Sequence, residues 1–192
     1  MNKDLHVYKR LYEQHARELF SYGMAFGVDK EELEDAIHDV FLHLIERERG
    51  AREGDDGKFY LLACLKNRLL SMKRKKRHDG TLDEVDEAGF AVRVDGFEVI
   101  ADEEERRAVA RLVEEMLLEL TDRQREAIYL RYTCELGFEE IAALLDIRPK
   151  SARKLVYRAV DLLRGRHLPL ALLYILSHLT ARGMERVPPP SW

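Results

Sequence analysis

The sequence predicts an all-α protein in which two small helical domains are joined by an acidic linker, the second domain containing a helix-turn-helix. Apolar residues recur at steps of three and four along several stretches, which is the spacing of amphipathic helices. After Gly137, two short stretches of this kind lie on either side of a tight turn, as in a helix-turn-helix. The formal charge is +2 over residues 1–78, −10 over 79–105 and +4 over 106–192. We therefore predict four segments: domains at 1–78 and 106–166, a linker at 79–105, and an apolar C-terminal extension at 167–192.

Composition indicates a soluble protein of a reducing compartment. Hydrophobic residues make up 46% and charged residues 35% of the 192 positions, as in globular proteins. Cys64 and Cys134 are the two cysteines and neither has a metal-binding spacing, so we expect a cytoplasmic location, no metal and no cofactor. The N-terminus is charged and amphipathic, unlike a signal peptide. The longest apolar run, Leu168–Leu176, is too short to cross a bilayer.

A helix predicted over Glu34–Glu46 has an apolar face and an acidic one. With residues placed about 100° apart, Ile37, Val40 and Phe41 lie inward. The outward stripe comprises Asp35, Asp39, Leu42 and Glu46. A solvated surface explains such a stripe, and so does a docking surface for a basic partner helix; the pattern alone leaves both open.

The next predicted helix, from about Lys58 to Lys76, turns a basic face outward. Its apolar stripe includes Leu61, Leu65 and Leu69. The opposite row and its flanks are formed by Tyr60, Lys66, Asn67, Lys73 and Arg74. Cations suit phosphates, a ring can stack on an exposed base, and polar groups can bond base edges. We therefore predict nucleic-acid binding, with a solubilising charge run or a localisation-like patch as alternatives.

The second domain is predicted to begin near Arg107 and to continue with a capping box at Thr121–Gln124. The acids just before Arg107 could equally open that first helix, because negative charge suits a helix N-terminus. The helix-turn-helix follows, and Pro149 suits the first position of its second helix. The N-terminal half of such a helix normally enters the major groove. Its predicted DNA contacts are Arg148, Lys150, Ser151, Arg153, Lys154, Tyr157 and Arg158.

The linker, residues 79–105, is predicted to be extended. Gly80, Gly89 and Gly96 interrupt it, its charges repel one another, and it has no sustained helical period.

Taken together, these segments resemble the sigma factors of bacterial RNA polymerase, in particular the small extracytoplasmic-function group that retains the second and fourth conserved regions. In the first domain, D-A-I-H-D-V-F at Asp35–Phe41 is similar to a family segment that docks on the polymerase clamp helices, with His38 in place of the usual Gln. The resemblance thus implies polymerase binding by Asp35, His38, Asp39 and Leu42.

The stretch Phe59–Arg74 resembles the part of the second region that recognises and holds open the minus-ten promoter element, with Tyr60 where Trp is common and Ser71 where Asp is frequent. By the same resemblance, the loop Gly50–Lys58 captures a flipped base. The linker would thread the polymerase channel that later carries RNA.

In the second domain, L-T-D-R-Q-R-E-A-I-Y-L-R-Y, E-E-I-A-A-L-L and S-A-R-K-L-V-Y-R-A-V-D-L-L-R resemble the fourth region, which recognises the minus-thirty-five element. Asp146 stands at the turn where Gly is usual, and Asp tolerates the left-handed conformation. The resemblance implies a non-enzymatic initiation subunit whose partners are core RNA polymerase and promoter DNA, and it leaves room for an anti-sigma factor.

Two other functions fit parts of the sequence. A helix-turn-helix regulator that acts without polymerase needs only the second domain and leaves the row of Tyr60, Asn67 and Arg74 unexplained. A helical-bundle metalloenzyme is suggested by ligand-like spacings at Asp35, His38, Asp39 and His43, but no second helix supplies a matching set.

The C-terminal extension is apolar on every side. Packing on the chain's own domains explains this composition, and so does a regulatory role in which the extension holds the domains closed or receives an inhibitor.

Overall fold

The computed structural model describes residues 2–46, 55–78, 89–93 and 102–180, and every regular element within these ranges is helical. The all-α prediction is confirmed for this part of the chain. The chain divides into two compact units between Gly89 and Phe90. In chain order the helices are α1 (Asn2–Met24), α2 (Lys30–Glu46), α3 (Asp55–His78), α4 (Glu103–Leu118), α5 (Asp122–Ile128) with a π-helical turn (Tyr129–Thr133) directly after it, α6 (Phe138–Leu145) and α7 (Pro149–Thr180).

In the first unit, α1, α2 and α3 pack against one another because each buries an apolar face. The centre of this core consists of Leu19, Leu33, Ile37, Phe41, Leu61, Leu62, Leu65 and Leu69, each at most 1% exposed. Helices α1 and α2 approach closely at Gly23, where an added β-carbon would lie 2.2 Å from Cδ1 of Leu33. The inward faces predicted for α2 and α3 are the faces that the structure buries.

Helix α3 begins earlier than the sequence predicted. Its first residue is Asp55, so the last four residues of the predicted loop Gly50–Lys58 are helical; residues 50–54 lie outside the described part.

In the second unit, the helix starts are set by side-chain caps. The Asp102 carboxylate accepts a hydrogen bond from the Glu105 amide at 2.8 Å and caps α4, which begins at Glu103. The acids at the end of the predicted linker thus open this helix, which was one of the two interpretations of them. The capping box at the start of α5 is confirmed: Thr121 Oγ1 accepts from the Gln124 amide, and Gln124 Oε1 accepts from the Thr121 amide.

Helices α6 and α7 form the helix-turn-helix. Asp146 ends α6 in the left-handed conformation (φ 52°, ψ 53°), which confirms the expectation that Asp adopts this conformation at the turn. The Asp146 amide bonds the carbonyls of Ala142 and Ala143, and the Ile147 amide bonds the Ala142 carbonyl at 3.0 Å, so both carbonyls have donors at the helix end. Pro149 occupies the first position of α7, as predicted. Helix α7 continues to Thr180, so the helix runs on into the C-terminal extension; the side chains beyond Arg166 lie outside the described residues.

Part of the predicted linker packs within the second unit. Phe90 and Val92 are buried, whereas Ala91 and Arg93 are exposed, and the Phe90 ring meets the Tyr129 ring edge-on at 5.6 Å. This alternation is that of a chain with one face on a core. Residues 90–93 therefore belong to the second unit, while 79–88 and 94–101 lie outside the described residues.

Candidate nucleic-acid interface

Helix α3 separates an apolar face from a basic one, as its register predicted. Leu61, Leu65 and Leu69 are at most 1% exposed, whereas Asn67 and Arg74 are exposed. Tyr60, Lys66 and Lys73 are half-buried, and each makes further contacts within the chain. The structure thus brings all five sequence-predicted residues of this helix to the side away from the core.

Two ion pairs join the basic flank of α3 to the acidic face of α2. Arg68 Nη2 lies 2.5 Å from Asp39 Oδ2, and Lys76 Nζ lies 2.5 Å from Glu32 Oε1. The four side chains are between 31% and 49% exposed, so solvent screens both pairs. Asp39, predicted to bind polymerase, is therefore engaged with α3 in the free chain. No sequence signal predicted this pairing, because the partners are 29 residues apart.

The remaining residues of the predicted polymerase surface lie at the outside of α2. Asp35 and His38 are exposed, and Leu42 is 42% exposed. An apolar side chain with acids one and two turns away on the same helix can pack on an apolar spot while the acids meet cations. His38 and His43 are both exposed, and among the described residues no group of three or more His, Cys, Asp or Glu side chains is arranged to hold a metal ion.

A buried cation anchors the first turns of α3. Lys58 is 7% exposed, and its Nζ lies 3.4 Å from Oε1 of Glu18 on α1. His15 Nδ1 lies 3.8 Å from the other oxygen of Glu18. Sequence reasoning missed this cluster. It fixes the end of α3 that carries Tyr60, two residues further along.

The N-terminal half of α7 presents a continuous polar and basic surface. Ala152, Val156 and Ala159 are at most 1% exposed and face the unit's core. Every residue predicted to contact DNA from this region is exposed: Arg148, Lys150, Ser151, Arg153, Lys154, Tyr157 and Arg158. Arg148 precedes the helix, and its carbonyl accepts from the Ser151 and Ala152 amides. The structure therefore brings these residues together on one side of the unit.

Aromatic contacts organise this surface, and sequence reasoning did not identify them. The Phe138 ring, at the start of α6, lies 5.1 Å from the guanidinium carbon of Arg153 and 5.1 Å from that of Arg131. The Tyr157 ring lies 6.2 Å from the Phe138 ring. Both arginine distances are within the range of cation–π attraction.

A buried arginine joins several elements of the second unit. Arg125 is 6% exposed, and its Nε and Nη2 donate to the carbonyls of Leu117 and Leu120, both at 2.8 Å. Its Nη1 donates to the Phe90 carbonyl and, at 3.1 Å, to the Asp122 carboxylate. Arg125 thus closes the C-terminal end of α4 and fastens the linker segment to it.

Comparisons with known proteins match both units. Residues 11–78 match the family model described as Sigma-70 region 2, and residues 110–163 match Sigma-70, region 4. No curated protein matches the chain. Among solved structures, the chain is similar to the sigma factor RpoE from Bartonella quintana, solved in complex with the anti-sigma factor NepR. The identity is 19%, the TM-score is 0.56, and the match covers 82% of this chain and 94% of that one.

Proposed function

The chain belongs to the sigma-70 family, in its extracytoplasmic-function group, and from this premise we propose which residues of each unit perform promoter recognition. As a sigma factor it binds core RNA polymerase and directs transcription initiation at specific promoters. The match to region 2 over residues 11–78 accounts for the first unit, which a regulator acting without polymerase would not need.

In this proposal the second unit fixes the position of the complex on duplex DNA. The observation that carries it is the register of α7: small and branched apolar residues face the core, and the cations project from the opposite side of the same turns. Lys150, Ser151, Arg153 and Lys154 lie in the first two turns, the part of such a helix that enters the major groove. Arg148, Tyr157 and Arg158 extend this surface toward the phosphates.

The first unit, in the same proposal, holds the melted element and the enzyme. Tyr60 stacks on an unpaired base, Asn67 bonds a base edge, and Lys66, Lys73 and Arg74 meet the strand's phosphates. On α2, Asp35, His38, Asp39 and Leu42 meet the polymerase. The chain itself performs no chemistry; polymerase does.

We also propose the setting and the regulation of this function. The chain acts in the cytoplasm, where polymerase and DNA are found. No helix among the described residues is long and apolar enough to cross a membrane. The solved relative is bound to an anti-sigma factor, and we extend that class of partner to this chain.

The experiment that tests the function is transcription by core polymerase with and without this chain on a library of random promoter templates. Transcripts that require the chain would define its two elements. The selected upstream element then serves as the binding target for Lys154→Ala, with Arg164→Ala as the matched control. Both side chains are exposed cations of α7, but they are separated by about 15 Å along the helix axis.

We expect Lys154→Ala to weaken binding by about 1 to 3 kcal/mol if Lys154 contacts a base. If Lys154 contacts a phosphate, we expect the variant to reduce the salt slope, which is the steepness with which log K for DNA binding falls with log salt concentration, by about one unit. Arg164→Ala should change neither by as much. A Lys154→Ala variant with unchanged affinity and salt slope removes Lys154 from the interface, and a library with no dependent transcript contradicts the function.

A further inference from the structure

The recognition helix carries one arginine that rests on an aromatic ring. The guanidinium carbon of Arg153 lies 5.1 Å from the centre of the Phe138 ring, and Arg153 is exposed on the side of α7 assigned above to DNA. Among the described residues, no carboxylate forms an ion pair with Arg153. Its charge is therefore not neutralised within this part of the chain.

An aromatic partner leaves a guanidinium more able to bind DNA than a carboxylate partner does. A carboxylate accepts hydrogen bonds in the guanidinium plane and occupies two of its five N–H groups. A ring attracts the cation through its quadrupole and accepts none of those in-plane bonds. The N–H groups of Arg153 thus stay available for a pair of acceptors, such as O6 and N7 of guanine or two phosphate oxygens.

The ring itself is held in place by a second arginine. The guanidinium carbon of Arg131, in the π-helical turn, also lies 5.1 Å from the Phe138 ring centre. Arg131 Nη1 donates to the Leu136 carbonyl at 2.8 Å, which fastens Arg131 to the backbone just before α6. Phe138 is half-buried, so packing limits its motion as well.

From this geometry we propose that Phe138 is a positioning residue for promoter recognition. Its ring orients Arg153 before DNA arrives, and Arg131 keeps the ring fixed. A free arginine side chain loses rotational freedom when it binds, and a side chain oriented in advance loses less. Phe138 would then strengthen DNA binding without touching DNA. This inference rests on the proposed function, because it requires that α7 meets DNA.

A double-mutant cycle on the upstream element tests the proposal. In holoenzyme assembled with this chain, Arg153→Ala should weaken binding to the duplex upstream element by about fivefold to a hundredfold. Phe138→Leu should weaken binding about twofold to fivefold. Phe138→Tyr keeps the aromatic ring and should bind as tightly as the wild-type chain. In the Arg153→Ala background, Phe138→Leu should have no further effect. Multiplying effects would overturn the proposal, because Phe138 would then act independently of Arg153.

The base dependence of the loss separates the two acceptors. If Arg153 contacts guanine, Phe138→Leu weakens binding to the wild-type element more than to an element with that base pair changed. If Arg153 contacts phosphates, the loss is the same for both elements and the salt slope falls.

NMR relaxation of arginine Nε–H groups in the wild-type chain provides a second test that needs no variant. The Nε–H group of Arg153 should be more ordered than that of Arg158, an exposed arginine of the same helix. Equal mobility of the two groups would overturn the proposal even if Phe138→Leu failed to fold.

The outcomes separate this inference from the proposed function. If Lys154→Ala weakens binding but Arg153→Ala does not, the positioning role is wrong and the function stands. If neither does, α7 is not the DNA-binding helix and the residue assignment of the proposed function fails with it.

Discussion

The exposed cations of the two basic helices, α3 and α7, differ in whether they have carboxylate partners. On α3, Arg68 and Lys76 lie 2.5 Å from carboxylates of the neighbouring helix α2. On the first turns of α7, no carboxylate among the described residues pairs with Lys150, Arg153 or Lys154. Further along α7, Arg166 pairs with Glu119 at 3.0 Å, so the difference lies in the first turns of α7, whose cations are not neutralised within the described residues.

This difference indicates how the two units share promoter binding. Each phosphate neutralised by a protein cation contributes about 0.7 to 0.9 to the salt slope. A cation already paired with a carboxylate contributes less, because its counterion is part of the protein. We therefore expect the salt dependence of DNA binding to originate mainly in the second unit, and the first unit to depend more on stacking and base contacts.

The buried cations of the two units differ in a corresponding way. Lys58 is paired with the Glu18 carboxylate at 3.4 Å. Arg125 also has a carboxylate partner, Asp122 at 3.1 Å, but it donates in addition to backbone carbonyls of α4, of the turn that follows it and of the linker segment. The planar guanidinium presents several donors in fixed directions, whereas an ammonium is a point charge. One arginine can therefore satisfy several carbonyls at once, and its loss should cost more.

The largest effect is expected for Arg125→Met. Removing the guanidinium takes the arginine donors away from the carbonyls of Leu117, Leu120 and Phe90 and loosens the attachment of the segment around Phe90. We expect this to cost about 3 to 5 kcal/mol in the free energy of unfolding. Hydrogen exchange of peptides from residues 102–166 measures this loss separately from the first unit. Arg111→Met is the control, since Arg111 is exposed on α4. A loss below about 1 kcal/mol would show that Arg125 does not hold the unit together.

A smaller loss, confined to the first unit, is expected for Lys58→Met. The Glu18 carboxylate, 22% exposed, would lose a partner, so we expect a cost of about 1 to 3 kcal/mol. Adding Glu18→Leu should recover part of it, because an apolar pair can replace a buried ion pair. Lys30→Met provides the exposed control. If the double variant is less stable than Lys58→Met alone, Glu18 has a second stabilising role.

The features that the sequence predicted well are local ones. The buried face of α7, with Ala152 and Val156, follows from the helical period, and the caps at Thr121 and Asp146 follow from residue chemistry within a few positions. Such features depend on neighbours along the chain. They could be predicted without knowing how the helices pack.

The features that the sequence did not predict depend on residues far apart. Arg68 meets Asp39 across 29 positions, and Arg125 bonds the Phe90 carbonyl across 35. Nothing in either local pattern specifies such a partner. The docked linker segment left a signal, the apolar alternation of Phe90 and Val92, but the strong negative charge of its surroundings favoured the prediction of a wholly extended linker.

The smallest effect, and the one that best separates internal pairing from partner binding, is expected for Asp39→Asn compared with Glu32→Gln. Each variant removes one exposed ion pair between α2 and α3, so each should change stability by less than about 1 kcal/mol. Each also removes a carboxylate from one cation of α3, so each should steepen the salt slope for single-stranded minus-ten DNA by up to about 0.7. Only Asp39 belongs to the proposed polymerase surface.

In a competition assay for core polymerase, Asp39→Asn should therefore bind several-fold more weakly than Glu32→Gln. Equal binding by the two variants would mean that Asp39 serves α3 alone, and that Asp35, His38 and Leu42 are the contacts α2 offers to the polymerase.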